Sequence, residues 1–264
     1  MDMTVVVGDR LSTFANEAGA ITTSEFLRKA RLGEIQSTVI MGQGISADIM
    51  DQIMWHSSRC GLSAINMVDA SQRADRKVTH KEKSGNGLIS HPEKNQEGVF
   101  ESKLLIDGNN ELILDHNTGC HIQGMVLIEA IRQMFIAVAE TQYQDLNVPQ
   151  NGYVVFDSLD VRFENFAFPV DAVVRYTTLS IEPKGKKRIR FVADIEIFQN
   201  DVRVASSKVA YTVYEQSFLE PIEHSQAKKA LSEFTARAHK RHLDEESYDH
   251  LNANLRAVGQ NYDE

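Results

Sequence analysis

The sequence predicts an α+β fold in which an antiparallel sheet wraps around one long central helix. The first observation behind this prediction is the segment 124–139, which has the length of a helix and is apolar on nearly every side. A helix that is apolar all round is typical of a fully buried position. The second observation is a series of four strand-like segments after it, separated by turn residues. Strands that follow a single buried helix favour a sheet packed on that helix.

The strands of this sheet are predicted from alternation and from turn residues. Within 188–199, apolar and polar side chains alternate, which places one face in a core and the other against water. Asn200-Asp201 predicts a tight hairpin directly after it. Upstream of the helix, residues 99–106 predict a strand that turns at 107–110 into residues 111–114. The four strands after the helix are predicted near Tyr153–Phe163, 172–181, Arg188–Gln199 and Val202–Tyr214.

The chain divides by pattern into four parts. Residues 1–78 predict a small N-terminal α/β appendage, and residues 79–96 form a polar connector of a composition typical of surface linkers. Residues 97–215 hold the central helix and its sheet. Residues 216–264 are charged, with apolar residues at helical spacing, and predict a helical C-terminal tail.

The appendage is predicted from two strands and two helices. Short apolar or β-branched runs at 37–41 and 64–68 flank a helical stretch that Ser46 caps and that ends before Gly61. A second helix over 25–31, capped by Thr23 or Ser24, stops at Gly33.

Composition excludes several classes of protein. With 264 residues, 42% hydrophobic and 25% charged, the chain is neither disordered, nor collagen-like, nor a coiled-coil rod. A formal charge of −9 leaves no broad electrostatic footprint for nucleic acid. Two cysteines, Cys60 and Cys120, argue against a disulfide scaffold. Because neither a signal peptide nor an apolar run of membrane-spanning length is visible, we expect a cytoplasmic protein without a membrane partner.

Three polar residues interrupt the central helix: Glu129, Arg132 and Gln133. At spacings of i, i+3 and i+4 they share one face. A charged pair inside an apolar helix costs desolvation energy unless it is well paired or employed. Two interpretations are open, an ordinary ion pair at the margin of the core or a functional carboxylate beside a guanidinium in a cleft.

The loop before the helix carries Asp115, His116, Cys120 and His121. Their spacing matches no familiar metal site, and no second cluster supplies further ligands, so no metal is predicted. The functional interpretation is a loop that delivers an imidazole to the start of the helix. The alternative is a loop histidine with a satisfied hydrogen bond.

The motif His116-Asn-Thr-Gly119, followed by Gly124 and Glu129-Ala-Ile-Arg-Gln133, resembles the loop and central helix of hotdog-fold proteins that act on acyl thioesters. The dehydratases of fatty-acid synthesis carry a similar His-x-x-Gly loop and Glu-Ala-x-x-Gln helix. The loop here is about one residue shorter than theirs, and the prolines of that family are missing. The resemblance implies acid–base chemistry by the loop histidine and the helix carboxylate on a chain held by acyl carrier protein.

Arg132 makes the sequence more similar to the A-factor synthase (AfsA-like) hotdog family of γ-butyrolactone biosynthesis. Members carry a Val-His-Lys-like segment before the first strand, and Val78-Thr-His80-Lys81 occupies that place with one residue inserted. The resemblance implies transfer of a 3-oxoacyl group from acyl carrier protein or CoA to a glycerol-type phosphate such as dihydroxyacetone phosphate, without a cofactor. Members usually hold two hotdog repeats, whereas this chain has one. We therefore expect a homodimer that joins two sheet edges.

The candidate residues follow from both lines of reasoning. Glu129 is the predicted general base, Arg132 holds a phosphate or a developing oxyanion, and His116 assists. The free backbone N–H groups at Gly124 and Met125 suit the thioester carbonyl. The remaining candidate substrate-binding residues are Gln133, His121, His80 and Lys81.

Three alternative functions stay open. A dehydratase or a thioesterase of the same fold would keep His116 and Glu129 as an acid–base pair but would leave Arg132 without a task. A non-catalytic acyl-ligand binding protein would use the appendage and the tail as partner surfaces. The basic turn at residues 184–188 has two possible interpretations. It either contacts an acidic carrier protein or is a solvated hairpin turn.

Overall fold

A computed structural model describes residues 3–68, 72–114, 119–143, 146, 148–149, 152–185 and 187–259, with side chains described as far as residue 243. The chain forms two compact units, Met1–Tyr214 and Glu215–Glu264.

The first unit begins with a four-stranded parallel sheet in the order β2-β1-β3-β4. Its strands are β1 (Met3–Val7), β2 (Ile21–Thr22), β3 (Thr38–Met41) and β4 (Ala64–Asn66), and its helices are α1 (Ser12–Ala18), α2 (Thr23–Arg31) and α3 (Ala47–Arg59). This confirms the α/β character of the N-terminal region and adds β1, α1 and β2, which the pattern did not predict. The cap of α2 is Thr22, one residue earlier than predicted, because its hydroxyl accepts a hydrogen bond from the Glu25 N–H at 3.3 Å.

The second sheet of this unit is antiparallel and six-stranded, in the order β5-β6-β8-β9-β10-β7. Its strands are β5 (Glu93–Lys94), β6 (Phe100–Lys103), β7 (Tyr153–Phe163), β8 (Val173–Pro183), β9 (Arg188–Gln199) and β10 (Val202–Tyr214). Asn200 and Asp201 both adopt positive φ in the β9–β10 turn, as a tight hairpin requires. The four strands predicted after the helix are confirmed to within two residues at each end.

Helix α6 (Gly124–Gln142) packs on this sheet and supplies the centre of the core. The Phe135 ring stacks on Tyr211, and Tyr211 stacks on Phe191, with centroids 4.5 and 5.1 Å apart. The hydroxyl groups of Tyr211 and Tyr176 lie 2.9 Å apart, and burial raises the pKa of both phenols. The predicted arrangement of a sheet around a long buried helix is confirmed.

Two segments before α6 differ from the prediction. Residues 111–114 form the helical turn α5 (Glu111–Leu114), because the Asn110 carboxamide oxygen accepts the Leu112 N–H at 3.0 Å. Within the predicted connector, Leu88 and Ile89 are completely buried, so this stretch is not a surface linker. Their carbonyls accept the N–H groups of Leu105 and Ala74, which tie the segment into the fold. It is preceded by the short helix α4 (Arg76–Thr79).

Gln43 joins the parallel sheet to the antiparallel one. Its side chain is completely buried, donates to the Leu104 carbonyl at 2.7 Å and accepts the Ile106 N–H at 2.7 Å. Gly108 lies so close to this joint that a Cβ there would approach the Gly44 carbonyl oxygen to 2.7 Å. Parallel sheets often bind ligands at the carboxyl ends of strands where the order reverses. Here residues 104–108 pack against the carboxyl ends of the parallel strands, so the contact between the two sheets is structural.

The second unit is helix α7 (Gln216–Gly259), which contains Pro221 in its early turns. This confirms the predicted helical tail. Within the described ranges, no helix is both long and apolar enough to cross a membrane.

Candidate active site

Glu129 lies on the second turn of α6 and accepts three hydrogen bonds. Its Oε2 accepts from Arg132 Nε at 3.0 Å, and its Oε1 accepts from Gln133 Nε2 at 3.0 Å. The Lys81 ammonium lies 2.6 Å from the same Oε1. The carboxylate is only 16% exposed, so these contacts operate at reduced dielectric. The predicted stripe of polar residues on α6 is therefore one connected cluster.

Opposing effects set the protonation state of Glu129. Burial, the largest, raises the pKa of the carboxyl group. The hydrogen bonds from Lys81 and Gln133, together with the charge and hydrogen bond of Arg132, outweigh burial and lower the pKa below its ordinary value of 4.5. Glu129 is consequently an anion at neutral pH, held between two cations.

Gln133 positions this carboxylate from within the core. Its side chain is completely buried. Its Oε1 accepts the Leu88 N–H at 2.6 Å, and its Nε2 donates to the Asn86 carbonyl at 2.9 Å as well as to Glu129. The segment predicted as a connector thus forms one wall of the site.

The end of α4 aims Lys81 at α6. His80 adopts the left-handed conformation with φ of 53°, and the Lys81 N–H returns to the Arg76 carbonyl at 2.8 Å. His80 Nε2 lies 3.3 Å from Glu140 Oε1, farther along the same face of α6. The two residues that the family resemblance singled out before the first strand therefore meet two carboxylates of the central helix.

A cavity of about 170 Å³ opens beside Glu129. Leu112, Met125 and Ile128 provide its apolar wall. Its polar lining comes from Lys81, Asn86, Asn110, Glu111 and Glu129.

Three of these polar lining residues were not predicted from the sequence. The Asn86 carboxamide donates to Glu111 Oε2 at 2.7 Å, and Asn110 donates to the Gly85 carbonyl at 3.0 Å. All three lie in turns or in a single helical turn, which are too short for a periodic sequence pattern to indicate a cavity. For Asn110 alone, the sequence carries a local signal, since this residue belongs to the Asp-Gly-Asn-Asn turn predicted at 107–110.

The structure separates the other candidates. Met125 lines the cavity, whereas His121 lies elsewhere, with its ring 5.0 Å from the Phe166 ring. Gly124 packs against β7, because a Cβ there would approach the Phe163 ring to 2.8 Å. His116 lies outside the described residues. The structure thus brings Glu129, Arg132, Gln133, Lys81 and Met125 together, and places His80 at the neighbouring Glu140.

The start of α6 offers backbone donors. No described residue accepts a hydrogen bond from the N–H of Gly124 or Met125, and Gln123 supplies no side-chain cap. Among the residues that the structure describes, no group of His, Cys, Asp and Glu could hold a metal ion. The described groups at this site are an anionic carboxylate, cationic side chains and backbone N–H groups.

Comparison with known proteins identifies the family. The family model described as the A-factor biosynthesis hotdog domain (AfsA) matches residues 65–215, more than half of the 264 residues. Curated proteins yield no significant match.

Solved structures resemble the chain more loosely. A Pseudomonas aeruginosa thioesterase mutant is 12% identical and covers 48% of this chain and 81% of its own, with a TM-score of 0.35. A Haemophilus influenzae thioesterase is 13% identical over 48% and 78%, with a TM-score of 0.34. A Bacillus halodurans protein solved with CoA is 16% identical over 47% and 73%, with a TM-score of 0.33. These scores are too low to carry an argument, so the assignment rests on the family model and on the observed helix and sheet. The chain belongs to the AfsA family of A-factor biosynthesis hotdog domains.

Proposed function

We propose that the protein is an acyltransferase that moves a 3-oxoacyl group from a carrier-protein or CoA thioester to a hydroxyl of a glycerol-type phosphate such as dihydroxyacetone phosphate. In this proposal the reaction serves γ-butyrolactone-type signal or secondary-metabolite synthesis, which membership of a family described by A-factor biosynthesis supports. The observation that carries the proposal is the anionic Glu129 at the wall of a cavity, hydrogen-bonded to Arg132 and Lys81.

Glu129 acts as the general base in this proposal. Its carboxylate takes the proton of the attacking hydroxyl while that oxygen bonds to the thioester carbonyl carbon. The tetrahedral oxyanion then collapses, the carbon–sulfur bond breaks, and the departing thiolate takes the proton back from Glu129. The products are an ester and a thiol, and the carboxylate is regenerated.

The oxyanion requires donors, and two sets are available. Arg132 donates a hydrogen bond to Glu129 through Nε alone. No described residue accepts a hydrogen bond from its two terminal nitrogens. The N–H groups of Gly124 and Met125, at the start of the same helix, likewise have no hydrogen-bond acceptor among the described residues. Donors preorganised around a developing oxyanion typically contribute about 10²–10³ in rate each.

The protonation state of Glu129 bears on the rival reactions. A lowered pKa leaves the Glu129 carboxyl group ionised at neutral pH, so before the reaction it holds no proton to donate, which disfavours a dehydratase in which Glu129 is the acid. It leaves hydrolysis open, because water and an alcohol need the same base. A non-catalytic binding protein would require no base at all.

The test incubates the full chain with a 3-oxoacyl thioester, with and without dihydroxyacetone phosphate, and follows thiol release and products by mass spectrometry. Ester formation that depends on the acceptor is the expected result. Thiol release at the same rate without the acceptor, yielding free acid, would identify a thioesterase instead. Formation of an unsaturated thioester from a 3-hydroxyacyl substrate would identify a dehydratase, and no turnover would favour a binding protein.

A further inference from the structure

A second, wider depression adjoins the cavity at Glu129. It is lined by Asp75, Arg76, Lys77, His80, Lys81 and Glu82, encloses about 520 Å³, and is called here the α4 hollow. Lys81 lines both the α4 hollow and the cavity beside Glu129. One lysine side chain is thus shared between the proposed base and a separate open space.

The α4 hollow is locally basic although the whole chain carries a formal charge of −9. Its lining contributes three cationic side chains, Arg76, Lys77 and Lys81, against the two carboxylates of Asp75 and Glu82. One of the carboxylates is engaged by the fold, because Asp75 Oδ1 accepts the Lys77 N–H at 2.8 Å. No described residue pairs with the Lys77 ammonium.

Arg76 is held in place within this hollow. Its terminal nitrogen donates to the Glu82 carbonyl at 2.6 Å, which closes the turn after α4 around the Lys81 backbone. A guanidinium held by one backbone contact keeps further donors for an anion. Ammonium and guanidinium groups placed in this way suit a phosphate better than a single carboxylate, since a phosphate accepts several hydrogen bonds at once.

We propose that the α4 hollow binds the phosphate group of a substrate between Arg76, Lys77 and Lys81, and that this phosphate competes with Glu129 for the Lys81 ammonium. Substrate binding then removes one of the three hydrogen bonds that occupy the Glu129 carboxylate. The carboxylate gains a free lone pair when the attacking hydroxyl arrives. Arg132 in turn remains available for the thioester oxygen. The inference rests on the proposed acyl transfer for its substrate class.

Two substrates of that reaction bear a phosphate, the acceptor and the phosphopantetheine arm of the thioester. Calorimetric titration of the full chain with dihydroxyacetone phosphate against dihydroxyacetone, and with 4′-phosphopantetheine against pantetheine, separates them. At least one phosphorylated probe should bind about tenfold more tightly than its unphosphorylated partner, and the pair that discriminates identifies the source. Equal affinities within both pairs would overturn the inference.

Variants test the location. Lys77→Glu should weaken the phosphorylated probe about tenfold, because it replaces an attraction with a repulsion. The matched control is Lys208→Glu, an exposed lysine of β10 that lines neither the cavity nor the hollow, and it should leave the affinity unchanged. Equal losses in the two variants would indicate a general charge effect and contradict the proposed subsite.

A double-mutant cycle tests the competition for Lys81. Glu129→Gln should tighten phosphate binding several-fold, because the ammonium loses its anionic partner, and should have no such effect in a Lys81→Met background. A Glu129→Gln variant that binds phosphate no better than wild type would refute the competition. Phosphate binding without acyl transfer would retain the subsite and reject the proposed function. Acyl transfer whose rate depends on neither phosphate would retain the proposed function and reject the subsite.

Discussion

The Gln133 carboxamide oxygen accepts the backbone N–H of Leu88 at 2.6 Å, and both residues are completely buried. This hydrogen bond fastens the segment after α4 to the central helix. It also orients the Gln133 amide, whose nitrogen donates to Glu129. A buried residue of the core therefore determines where the proposed base lies.

Replacing Gln133 with leucine should destabilise the protein by about 2–3 kcal/mol. The change leaves the Leu88 N–H and the Asn86 carbonyl without their partner in a dry environment. Chemical denaturation measures the free energy of unfolding. Gln142→Leu, an exposed glutamine of the same helix, is the control and should stay within about 0.5 kcal/mol of wild type. Equal stability of the two variants would contradict the role given to Gln133.

Glu129→Gln should fold normally and lose activity by a factor of about 10² or more, because it keeps the shape of the side chain and removes the base. Arg132→Lys should also fail, since a point charge cannot replace the guanidinium fork. Thiol-release kinetics provide the measurement, and circular dichroism checks the fold. Glu140→Gln, which touches His80 away from the cavity, should retain activity. Near-normal turnover by a folded Glu129→Gln variant would reduce the cluster to a structural ion pair.

The pH dependence of stability should report the same carboxylate. The pKa of Glu129 in the folded chain lies below its ordinary value of 4.5, despite the opposing effect of burial. Its ionisation therefore stabilises the fold above about pH 4.5, and this contribution disappears as the pH falls through the folded-state pKa. The stability difference between wild type and Glu129→Gln should shrink as the pH falls below about 4.5 and through the folded-state pKa. A difference that stays constant as the pH falls would show that Glu129 has the same pKa in the folded and unfolded chains, which contradicts the cluster's effect on it.

The protein should form a homodimer through β7. This strand lies at the edge of the six-stranded sheet and exposes Val155, Phe156, Leu159 and Phe163 to between 36% and 54%. A long apolar edge strand is a template for pairing with a second copy. Light scattering at micromolar concentration should give twice the chain mass, and Leu159→Lys should reduce it. A monomeric wild-type protein with an intact fold would contradict this prediction.

The basic turn between β8 and β9 should contact an acidic carrier protein. Lys187 and Arg188 lie in the described part of this turn, whereas Lys186 lies outside the described residues. Reversing Lys186 and Lys187 to Glu should raise the KM for carrier-linked thioesters while leaving short soluble thioesters unaffected. Equal effects on both substrates would leave the turn as a solvated hairpin.

The sequence alone predicted the elements whose periodicity is strong. Helix α6 is apolar on nearly every side over residues 124–139, and β9 alternates over twelve residues, so one pattern in each case outweighs every alternative. The spacing of Glu129, Arg132 and Gln133 also predicted a shared face, because helix geometry alone fixes that neighbourhood. Short elements such as β1 and α4 carry too few residues for a period to stand out.

Only the tertiary structure determined which residues contact the polar face of α6. Lys81 reaches Glu129 because His80 reverses the chain after α4, a turn that depends on one left-handed residue. Leu88 is buried although most of the surrounding segment is polar, because its carbonyl and its N–H pair with segments distant in sequence. Periodicity reports which side of an element is apolar, whereas contacts between elements depend on turns and on long-range hydrogen bonds that leave no repeating trace in the sequence. The helix and its charged residues could therefore be predicted from the sequence. The cavity, the contact between Lys81 and Glu129, and the α4 hollow could not.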